Sequence, residues 1–287
     1  MNVMTEARFE VVPLTKHIGA ELRGIDLREK PDDATIRQIY QAWLDHLVII
    51  FPGQQLSQED LVRVTGYFGE IGELSRPAKY FPKGYSSLLP GIMLISNIRE
   101  NGEPIGALPD GEMMFHHDMI HAEVPSKATL LYSVEIPAEG GNTLFASGYA
   151  AYDTLDPDVR NRLEGRKALH HYNYGTTIRG GKMGTEAFAE CVHPVFRTHE
   201  DTGRKAIYVN RLMTVGIVGM PEEESTPLLN KVFDHAEKRD FVYEHKWRLG
   251  DLLLWDNRCS SHARTDFPST QRRLMLRTTV KGNVRPY

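Results

Sequence analysis

The stretch MMFHHDMIHAEVPSKATLLYSVEIPAEGGNTLFAS, residues 113–147, contains short apolar runs separated by turn-forming residues. Runs of this length, rich in β-branched and aromatic residues and bounded by Gly, Pro and Asn, are typical of β-strands. Similar runs follow downstream, namely KAIYVNRL, DLLLWDN and RRLMLRTTV, and helical patterns interrupt them near residues 156–166 and 222–238. The sequence therefore predicts a mainly β fold with helical decorations, a barrel or jelly roll. A doubly wound α/β sheet is disfavoured, because strands and helices do not alternate regularly.

The first 74 residues predict strands and helices in short succession. FEVVPL at 9–14, its continuation IGAELRGIDL at 18–27, and VIIF at 48–51 predict strands. PDDATIRQIYQAWLDHL spaces its apolar residues as a helix does, with Asp32 or Asp33 as the N-cap. A second helix is predicted in SQEDLVRVTGYFGEIG, where Ser57 and Asp60 have the spacing of a capping box.

Two regions lack such patterns and predict loops that cover a substrate. Residues 75–112 are punctuated by Pro and Gly, and residues 170–186 are rich in Tyr and Gly. Long irregular segments in compact domains commonly have a function. Because the chain has no repeat, low-complexity tract or long linker, we expect one domain over residues 1–287.

The composition restricts the class of protein. Of 287 residues, 25% are charged and 41% are hydrophobic, and the formal net charge is −4. Binders of nucleic acids and membrane surfaces usually carry a basic face, so neither partner is expected. No apolar run reaches the roughly 18 residues of a membrane span, and the N-terminal residues lack the pattern of an export signal. Two cysteines are too few for a disulfide framework. We therefore expect a cytoplasmic protein that acts on a small molecule.

Four His-x-Asp/Glu triplets are candidates for part of a metal site. They are His116/Asp118, His121/Glu123, His199/Asp201 and His235/Glu237. Twelve histidines and 38 acids in the chain predict one or two such triplets by chance, so a match alone is a weak signal.

His116 and Asp118 form the favoured pair. On an extended segment residues i and i+2 point the same way, so both side chains can hold one ion while His117 points elsewhere. Two imidazoles and one carboxylate on one face of an octahedral ion leave positions open, as in the non-haem iron oxygenases. His262 follows an apolar strand and a polar turn, and it is the predicted third ligand.

The other triplets are less suitable. His199 lies in the Gly- and charge-rich turn RTHEDTGRK, which predicts a solvated surface histidine. His235 lies within a helical pattern, where residues i and i+2 diverge. The pair His121/Glu123 remains a minor alternative because it is close to the favoured pair.

Two arginines lie downstream of His262. TQRRLMLRTTVKG predicts an alternating strand on which Arg273, Met275 and Arg277 share one face. A buried arginine is costly unless it meets an anion. Two arginines directed into the cavity of a metal site therefore indicate acidic ligands, and a dicarboxylate can bind one of them bidentately.

Several stretches of the sequence resemble the taurine and 2,4-dichlorophenoxyacetate dioxygenase family (TauD/TfdA), whose members depend on Fe(II) and 2-oxoglutarate. The resemblance extends over about residues 9–284, and its blocks occur in the family's order and spacing. They are PLTKHIGAELRGIDL, VIIFPGQQLSQEDL, YFGEIGEL, EIPAEGGNTLFAS, HPVFRTHEDTGRKAIYVN and WDNRCSSHARTDF.

The resemblance implies a double-stranded β-helix, which is a cupin-like jelly roll, with Fe(II), 2-oxoglutarate and O₂ as cofactors. His116, Asp118 and His262 correspond to the iron ligands of the family. Thr143 and Arg273 correspond to the residues that hold the distal carboxylate of 2-oxoglutarate.

The resemblance also implies substrate-binding residues. Arg277 corresponds to the arginine that meets the acidic group of the substrate in the taurine enzyme. Met213 falls where that enzyme lines its substrate pocket, and Asn210 is a candidate hydrogen-bonding residue of the pocket. The implied reaction is hydroxylation of a small anionic substrate, a carboxylate or sulfonate, with succinate and CO₂ as co-products.

Taurine itself is a poor candidate substrate. The substrate-binding histidine expected after FGE is absent, and LSRPAKYF stands in its place. Aromatic residues in the two predicted loops favour an aromatic or bulky acid; they are Tyr80, Phe81, Tyr85, Tyr172 and Tyr174. Members of the family often form dimers or tetramers, so a homo-oligomer is expected.

Two other functions are compatible with the predicted metal triad. The first is a metal-dependent hydrolase or cupin-type isomerase that uses the same triad without 2-oxoglutarate. Thr143 and Arg273 disfavour it, because a hydrolase has no use for a dicarboxylate clamp. The second is a non-catalytic module that keeps the barrel, but such a protein is expected to lose a metal ligand or the clamp.

Overall fold

The computed structural model describes residues 9–72, 88–106, 108, 111–172, 177 and 189–287. Its helices are α1 Asp33–His46, α2 Gln58–Gly66, α3 Gly148–Asp153, α4 Pro157–Leu163 and α5 Glu222–Ala236. Its first strands are β1 Glu10–Pro13, β2 Ala20–Arg23, β3 Val48–Phe51, β4 Met93–Ser96, β5 Arg99–Glu100, β6 Glu103–Pro104, β7 Met113–His116, β8 Ala128–Glu135 and β9 Thr143–Ser147. The later strands are β10 Lys167–Tyr172, β11 Ala189–Pro194, β12 Phe196–Thr198, β13 Lys205–Ile207, β14 Thr214–Ile217, β15 Val242–His245, β16 Leu252–Asp256, β17 Ser260–Arg264 and β18 Leu274–Val280.

The two N-terminal helices begin where the sequence predicts. The side chain of Asp32 accepts a hydrogen bond from the backbone N–H of Thr35 and caps α1. Ser57 and Asp60 form the reciprocal capping box at the start of α2. Each cap satisfies backbone N–H groups that have no partner within the first turn of a helix.

A seven-stranded sheet forms one side of the molecule. Its strand order is β1-β2-β3-β16-β8-β18-β4, and every pairing is antiparallel except that of β2 with β3. The central strands β3, β8 and β16 are almost entirely buried, which explains their near-continuous apolar sequences. Helices α1 and α2 pack on this sheet, where Trp43, Leu61 and Val64 join its core.

A four-stranded antiparallel sheet of order β15-β9-β17-β7 forms the other side. A third sheet, of order β11-β10-β14, lies beside a separate apolar cluster to which α3, α4 and α5 contribute. The fold is therefore β-rich and carries few helices, as the sequence predicts. Helix α3, between β9 and α4, is an element that the sequence analysis did not identify. Among the described residues, we find no helix with the length and apolar character needed to cross a membrane.

The predicted loop at residues 75–112 is wrong for part of its length. Met93–Ser96 is a strand of the large sheet and pairs with Leu274–Arg277 of β18. Its apolar run MLIS is only four residues long and lies close to Pro90 and Gly91, so the surrounding turn formers obscured it. Residues 73–87, 107 and 109–110 lie outside the described residues, and with them Tyr80, Phe81 and Tyr85.

The second predicted loop, residues 170–186, begins too early. Residues 170–172 complete strand β10 and pair with residues 189–191 of β11. Of the remainder, residues 173–176 and 178–186 lie outside the described residues, and with them Tyr174.

The prediction of a solvated His199 is also wrong, because this side chain is buried. Its Nε2 donates to Asp256 Oδ2 at 3.0 Å. Arg258 binds the same carboxylate through two contacts, Nε to Oδ1 at 2.9 Å and Nη2 to Oδ2 at 2.7 Å. The turn sequence around His199 gave no sign of this carboxylate, which lies 57 residues further along the chain.

The Asp256 network holds the turn between β16 and β17. Ser260 Oγ donates to the backbone carbonyl of Asp256 at 2.7 Å, which ties the start of β17 to the end of β16. Burial alone would raise the pKa of Asp256, but the charge and hydrogen bonds of Arg258 and the hydrogen bond from His199 hold it well below its usual range. The network therefore stabilises the folded state through an ionised, fully bonded carboxylate.

We predict that Asp256→Asn lowers the free energy of unfolding by about 3 kcal/mol at pH 7, since it removes the fully buried one of the carboxylates that pair with Arg258. Because the pKa of Asp256 is depressed in the folded state, its contribution is complete above about pH 4 and fades as pH falls further. Urea unfolding of both proteins at pH 7 and at pH 3 measures the two effects.

Asp153→Asn is the matched control for this change. Asp153 pairs with Arg204 at the surface, at 3.2 Å, and its side chain is 58% exposed. Removing that charge is expected to cost less than about 1 kcal/mol. Equal losses in the two variants would contradict a special role for the buried carboxylate.

Candidate active site

A cavity lies between the large sheet and the four-stranded sheet, and both contribute to its wall. The large sheet supplies side chains from β4, β8, β16 and β18, and the smaller sheet supplies them from β7, β9 and β17. Seven of the eight predicted site residues line this cavity: His116, Asp118, Thr143, Met213, His262, Arg273 and Arg277. Distant parts of the chain therefore converge where the sequence predicts.

Strand pairing brings the two histidines together. Strands β7 and β17 are antiparallel neighbours, and their register places His116 directly opposite His262. The ring centroids are 4.1 Å apart. Asp118 lies two residues beyond the end position of β7, and its Oδ2 is 3.9 Å from His262 Nε2. Candidate ligand atoms of the three residues all lie within 4.8 Å of one another.

The three side chains have the protonation states that a divalent metal needs. Burial lowers the pKa of His262 to about 3, with a further contribution from His116, so its ring is neutral near pH 7. Burial likewise lowers the pKa of His116. Burial would raise the pKa of Asp118, but the charge of Arg277, the effects of His262 and His116 and the hydrogen bond from Thr129 together lower it and keep the carboxyl ionised. Metal ligands of these types bind as neutral imidazole and as carboxylate.

Hydrogen bonds orient two of these three side chains. His116 Nδ1 lies 2.9 Å from the carbonyl oxygen of Met114 and donates to it, which leaves the Nε2 lone pair for a metal. Thr129 Oγ1 donates to Asp118 Oδ2 at 2.6 Å. Arg277 Nη2 contacts the other carboxylate oxygen, Oδ1, at 2.8 Å.

Arg273 presents an unsatisfied guanidinium to the cavity. The residue is 2% exposed, and its Nε and Nη1 have no hydrogen-bond partner among the residues that the structure describes. Burial, reinforced by the positive charge of Arg264, lowers the pKa of Arg273 to about 9. A buried cation without a partner is costly, so the site is suited to an anion that restores the missing contacts.

Thr143 lines the same cavity, and its hydroxyl is available as a hydrogen-bond donor. Its Oγ1 accepts a hydrogen bond from Trp247 Nε1 at 3.1 Å. A hydroxyl that accepts from an indole still has its own hydrogen to donate. Thr143 can therefore donate to an oxygen in the cavity.

Asn210 is the predicted site residue that does not line the cavity. Its Oδ1 accepts from the backbone N–H of Met213 at 2.8 Å, and its Nδ2 lies 3.2 Å from His117 Nδ1. It therefore lies behind the wall and supports Met213, which faces the cavity. His117 points away from the candidate metal ligands towards Asn210, as strand alternation predicts.

Two cavity residues were missed or set aside in the sequence analysis. His121 lines the cavity and stacks on Tyr172, with ring centroids 5.0 Å apart. The chain turns at Met119, where φ is +60°, and this turn returns His121 to the cavity without a periodic signal. Arg264 also lines the cavity. It lies two residues after His262 on β17, so strand alternation was a sufficient signal for it.

A second group of candidate ligands, His199, Asp256 and Cys259, does not suit a metal. His199 Nδ1 accepts from the backbone N–H of Asp201 at 3.2 Å, so its Nε2 carries the hydrogen that Asp256 accepts. Arg258 occupies both oxygens of that carboxylate. Burial raises the pKa of Cys259 well above its usual value, which keeps the thiol protonated. These residues therefore form a structural network.

Comparison with curated proteins finds relatives over almost the whole length of the chain. It is 29% identical to the (S)-phenoxypropionate/alpha-ketoglutarate-dioxygenase of Sphingobium herbicidovorans, covering 96% of both chains. It is 31% identical to the alpha-ketoglutarate-dependent 2,4-dichlorophenoxyacetate dioxygenase of Cupriavidus pinatubonensis, covering 93% of this chain and 96% of the relative. It is 32% identical to the pentalenolactone F synthase of Streptomyces avermitilis, covering 92% and 90%.

Solved structures share the fold. A taurine dioxygenase from Burkholderia xenovorans matches with a TM-score of 0.79 and 31% identity, covering 97% of this chain and 92% of that one. AAD-2, solved in complex with Mn(II) and N-oxalylglycine, matches with a TM-score of 0.79 and 27% identity, covering 97% and 99%. The family model described as "Taurine catabolism dioxygenase TauD, TfdA family" matches residues 10–279. The chain therefore belongs to the TauD/TfdA family of dioxygenases, as its sequence blocks and its cavity indicate.

Proposed function

We propose that this enzyme, a 2-oxoglutarate-dependent dioxygenase of the TauD/TfdA family, hydroxylates a small anionic substrate and forms succinate and CO₂ as co-products. One observation carries the proposal: Arg273 lines the cavity that holds His116, Asp118 and His262, and its buried Nε and Nη1 have no hydrogen-bond partner in the described part of the chain. A metal-dependent hydrolase or isomerase has no use for a buried cation at this place. A 2-oxoglutarate dioxygenase needs one for the far carboxylate of its co-substrate.

His116, Asp118 and His262 are the proposed Fe(II) ligands. The two neutral imidazoles and the ionised carboxylate are the donor set of non-haem Fe(II) oxygenases that bind co-substrate and O₂ at open positions. When bound, Fe(II) supplies the activation of O₂ that couples decarboxylation of 2-oxoglutarate to hydroxylation of a C–H bond. The protein side chains supply position and charge, and none of them has to act as a nucleophile.

Arg273 and Thr143 are the proposed clamp for the distal carboxylate of 2-oxoglutarate. Two guanidinium nitrogen atoms have no partner among the described residues, and the hydroxyl of Thr143 has a hydrogen to donate because it accepts from Trp247. A carboxylate can accept from both groups, which makes the contacts charge-assisted and fixes the orientation of the co-substrate.

The proposed substrate is an aromatic or bulky carboxylate or sulfonate. Arg277 lines the cavity and provides a positive charge for the acidic group. The stacked rings of His121 and Tyr172 and a set of apolar side chains form other parts of the wall. The apolar residues include Met93, Met113, Met119, Leu131 and Met213. Methionine side chains adapt to irregular apolar groups, and two relatives are named for phenoxypropionate and 2,4-dichlorophenoxyacetate.

The proposed function also implies a fold, covering loops and an assembly for the whole chain. We propose that its two facing antiparallel sheets form a double-stranded β-helix within one domain over residues 1–287. The segments 75–112 and 170–186, apart from the strands found within them, are the proposed substrate-covering loops. A homo-oligomer in the cytoplasm remains our expectation for its assembly and location.

Asp118→Ala is predicted to abolish binding of one Mn(II) per chain, because it removes the only charged ligand of the proposed triad. Electron paramagnetic resonance of free Mn(II) during a titration measures the affinity. Glu123→Ala is the matched control: Glu123 belongs to the neighbouring His-x-Glu triplet, and its side chain is 72% exposed beside Arg285. Loss of binding in this control, with retention in Asp118→Ala, would assign the metal to the wrong triplet.

Arg273→Ala is predicted to raise the dissociation constant of 2-oxoglutarate at least about 30-fold, which corresponds to about 2 kcal/mol for a lost buried charge pair. Calorimetric titration of the Mn(II)-loaded protein measures it. Arg272→Ala is the control, since Arg272 is an adjacent exposed arginine that pairs with Glu135 at 2.7 Å. Similar losses in the two variants would contradict a specific clamp at Arg273.

Arg277→Ala is predicted to reduce the preference for an anionic over a neutral substrate by about 30-fold or more. The measured quantity is the ratio of kcat/KM for phenoxyacetate to that for phenoxyacetamide. Arg277 also contacts Asp118, so its removal is expected to affect the metal site as well. Such an effect lowers kcat/KM for both substrates alike and cancels in the ratio. An unchanged ratio would remove Arg277 from the proposed substrate site.

A further inference from the structure

We propose that Thr129 and Asn257 are positioning residues that hold the carboxylate of Asp118 in place for the metal. This inference rests on the proposed function, because it takes Asp118 as a metal ligand. Thr129 and Asn257 do not face the cavity, and neither belongs to the predicted site. Both are completely buried, so their polar groups are constrained by the partners described below.

The hydrogen bonds run in one direction from an indole to the carboxylate. Trp255 Nε1 is a donor only, and it donates to Asn257 Oδ1 at 2.9 Å. The amide is therefore oriented with its Nδ2 towards Thr129, and it donates to Thr129 Oγ1 at 2.9 Å. The Thr129 hydroxyl has a single hydrogen, and it donates that hydrogen to Asp118 Oδ2 at 2.6 Å.

The three supporting residues belong to the rigid centre of the large sheet. Thr129 lies on β8 and Trp255 on β16, and the register of these strands places the two residues opposite one another. Asn257 immediately follows β16, and its backbone N–H donates to the carbonyl of Lys127 at 3.1 Å. A hydroxyl held in this way has little freedom to move.

Asp118 needs such external support because its own backbone lies outside the strands. It follows β7 and precedes Met119, where φ is +60° and the chain turns. His116 and His262, in contrast, lie on paired strands. Arg277 contacts Oδ1 of Asp118 as a cation, whereas the neutral hydroxyl of Thr129 binds Oδ2. Thr129 therefore fixes the carboxylate without competing electrostatically with a metal cation.

The test is the Mn(II) dissociation constant of Thr129→Val, measured by electron paramagnetic resonance on the full chain. Valine keeps the shape and removes the donor, and loss of an outer-shell partner typically weakens metal binding about 10–100-fold. Thr129→Ser restores a hydroxyl and is expected to recover most of the affinity. Asn257→Ala, which frees the Thr129 hydroxyl to rotate, is expected to weaken binding about 10-fold.

Thr278→Val is the matched control. Thr278 is also buried, and its hydroxyl is hydrogen-bonded to that of Thr65 at 2.7 Å. This control loses a buried hydroxyl hydrogen bond but keeps the hydrogen bonds that link Trp255, Asn257, Thr129 and Asp118. It therefore reports the general effect of a buried Thr→Val change. Circular dichroism and thermal melts confirm that each compared variant is folded.

The outcomes separate this inference from the proposed function. If Asp118→Ala binds Mn(II) as the wild type does, the proposed metal site is wrong. If Asp118→Ala loses Mn(II) while Thr129→Val and Asn257→Ala bind it as tightly as Thr278→Val, the metal site stands and the positioning role is overturned. Should Thr129→Val fail to fold, Asn257→Ala and the serine variant decide the question by the same comparison.

Discussion

The register of β17 between β9 and β7 is the constraint on which the candidate site depends. His262 faces Phe145 on one side and His116 on the other. Because side chains alternate along a strand, a slip of one residue would turn His262 away from the cavity. The turn that precedes β17 is fixed by the buried network of Asp256, Arg258 and His199. A buried ion cluster whose own side chains do not line the cavity thus helps to fix the position of a proposed metal ligand.

The cavity retains features that do not favour stability. Arg273 is buried, and two of its nitrogen atoms have no hydrogen-bond partner within the described ranges of the chain. His262 is buried in a ring of aromatic side chains, with Trp255 at 4.8 Å between centroids, and its pKa falls to about 3. Groups of this kind cost free energy in the folded protein, and perturbed groups that converge in one cavity are typical of active sites. The rest of the sheet, which is apolar and well paired, supplies the stability that tolerates them.

Residue spacing was enough to select His116 and Asp118 as one candidate pair and Arg273 and Arg277 as another. Residues two or four positions apart on an extended segment share a face, and all four side chains line the cavity. His199 was misjudged because its burial depends on Asp256 and Arg258, which are distant in sequence and invisible to any local pattern. His121 was set aside because a single turn at Met119, and not a period, returns it to the cavity. Arg264 could have been found by the same alternation that identified its neighbours.

The charge balance of the cavity explains why two different anions are expected there. Among the described residues of its wall, the charged side chains are Arg264, Arg273, Arg277 and Asp118. Asp118 is the single acid, and it already contacts Arg277. The histidines are neutral because burial lowers their pKa values. A divalent metal would add to the positive excess, so a site built in this way is complete only when anionic ligands enter. The proposed dicarboxylate co-substrate at Arg273 and the proposed acidic substrate near Arg277 would supply that charge at two separate positions, which suits a dioxygenase with two organic substrates.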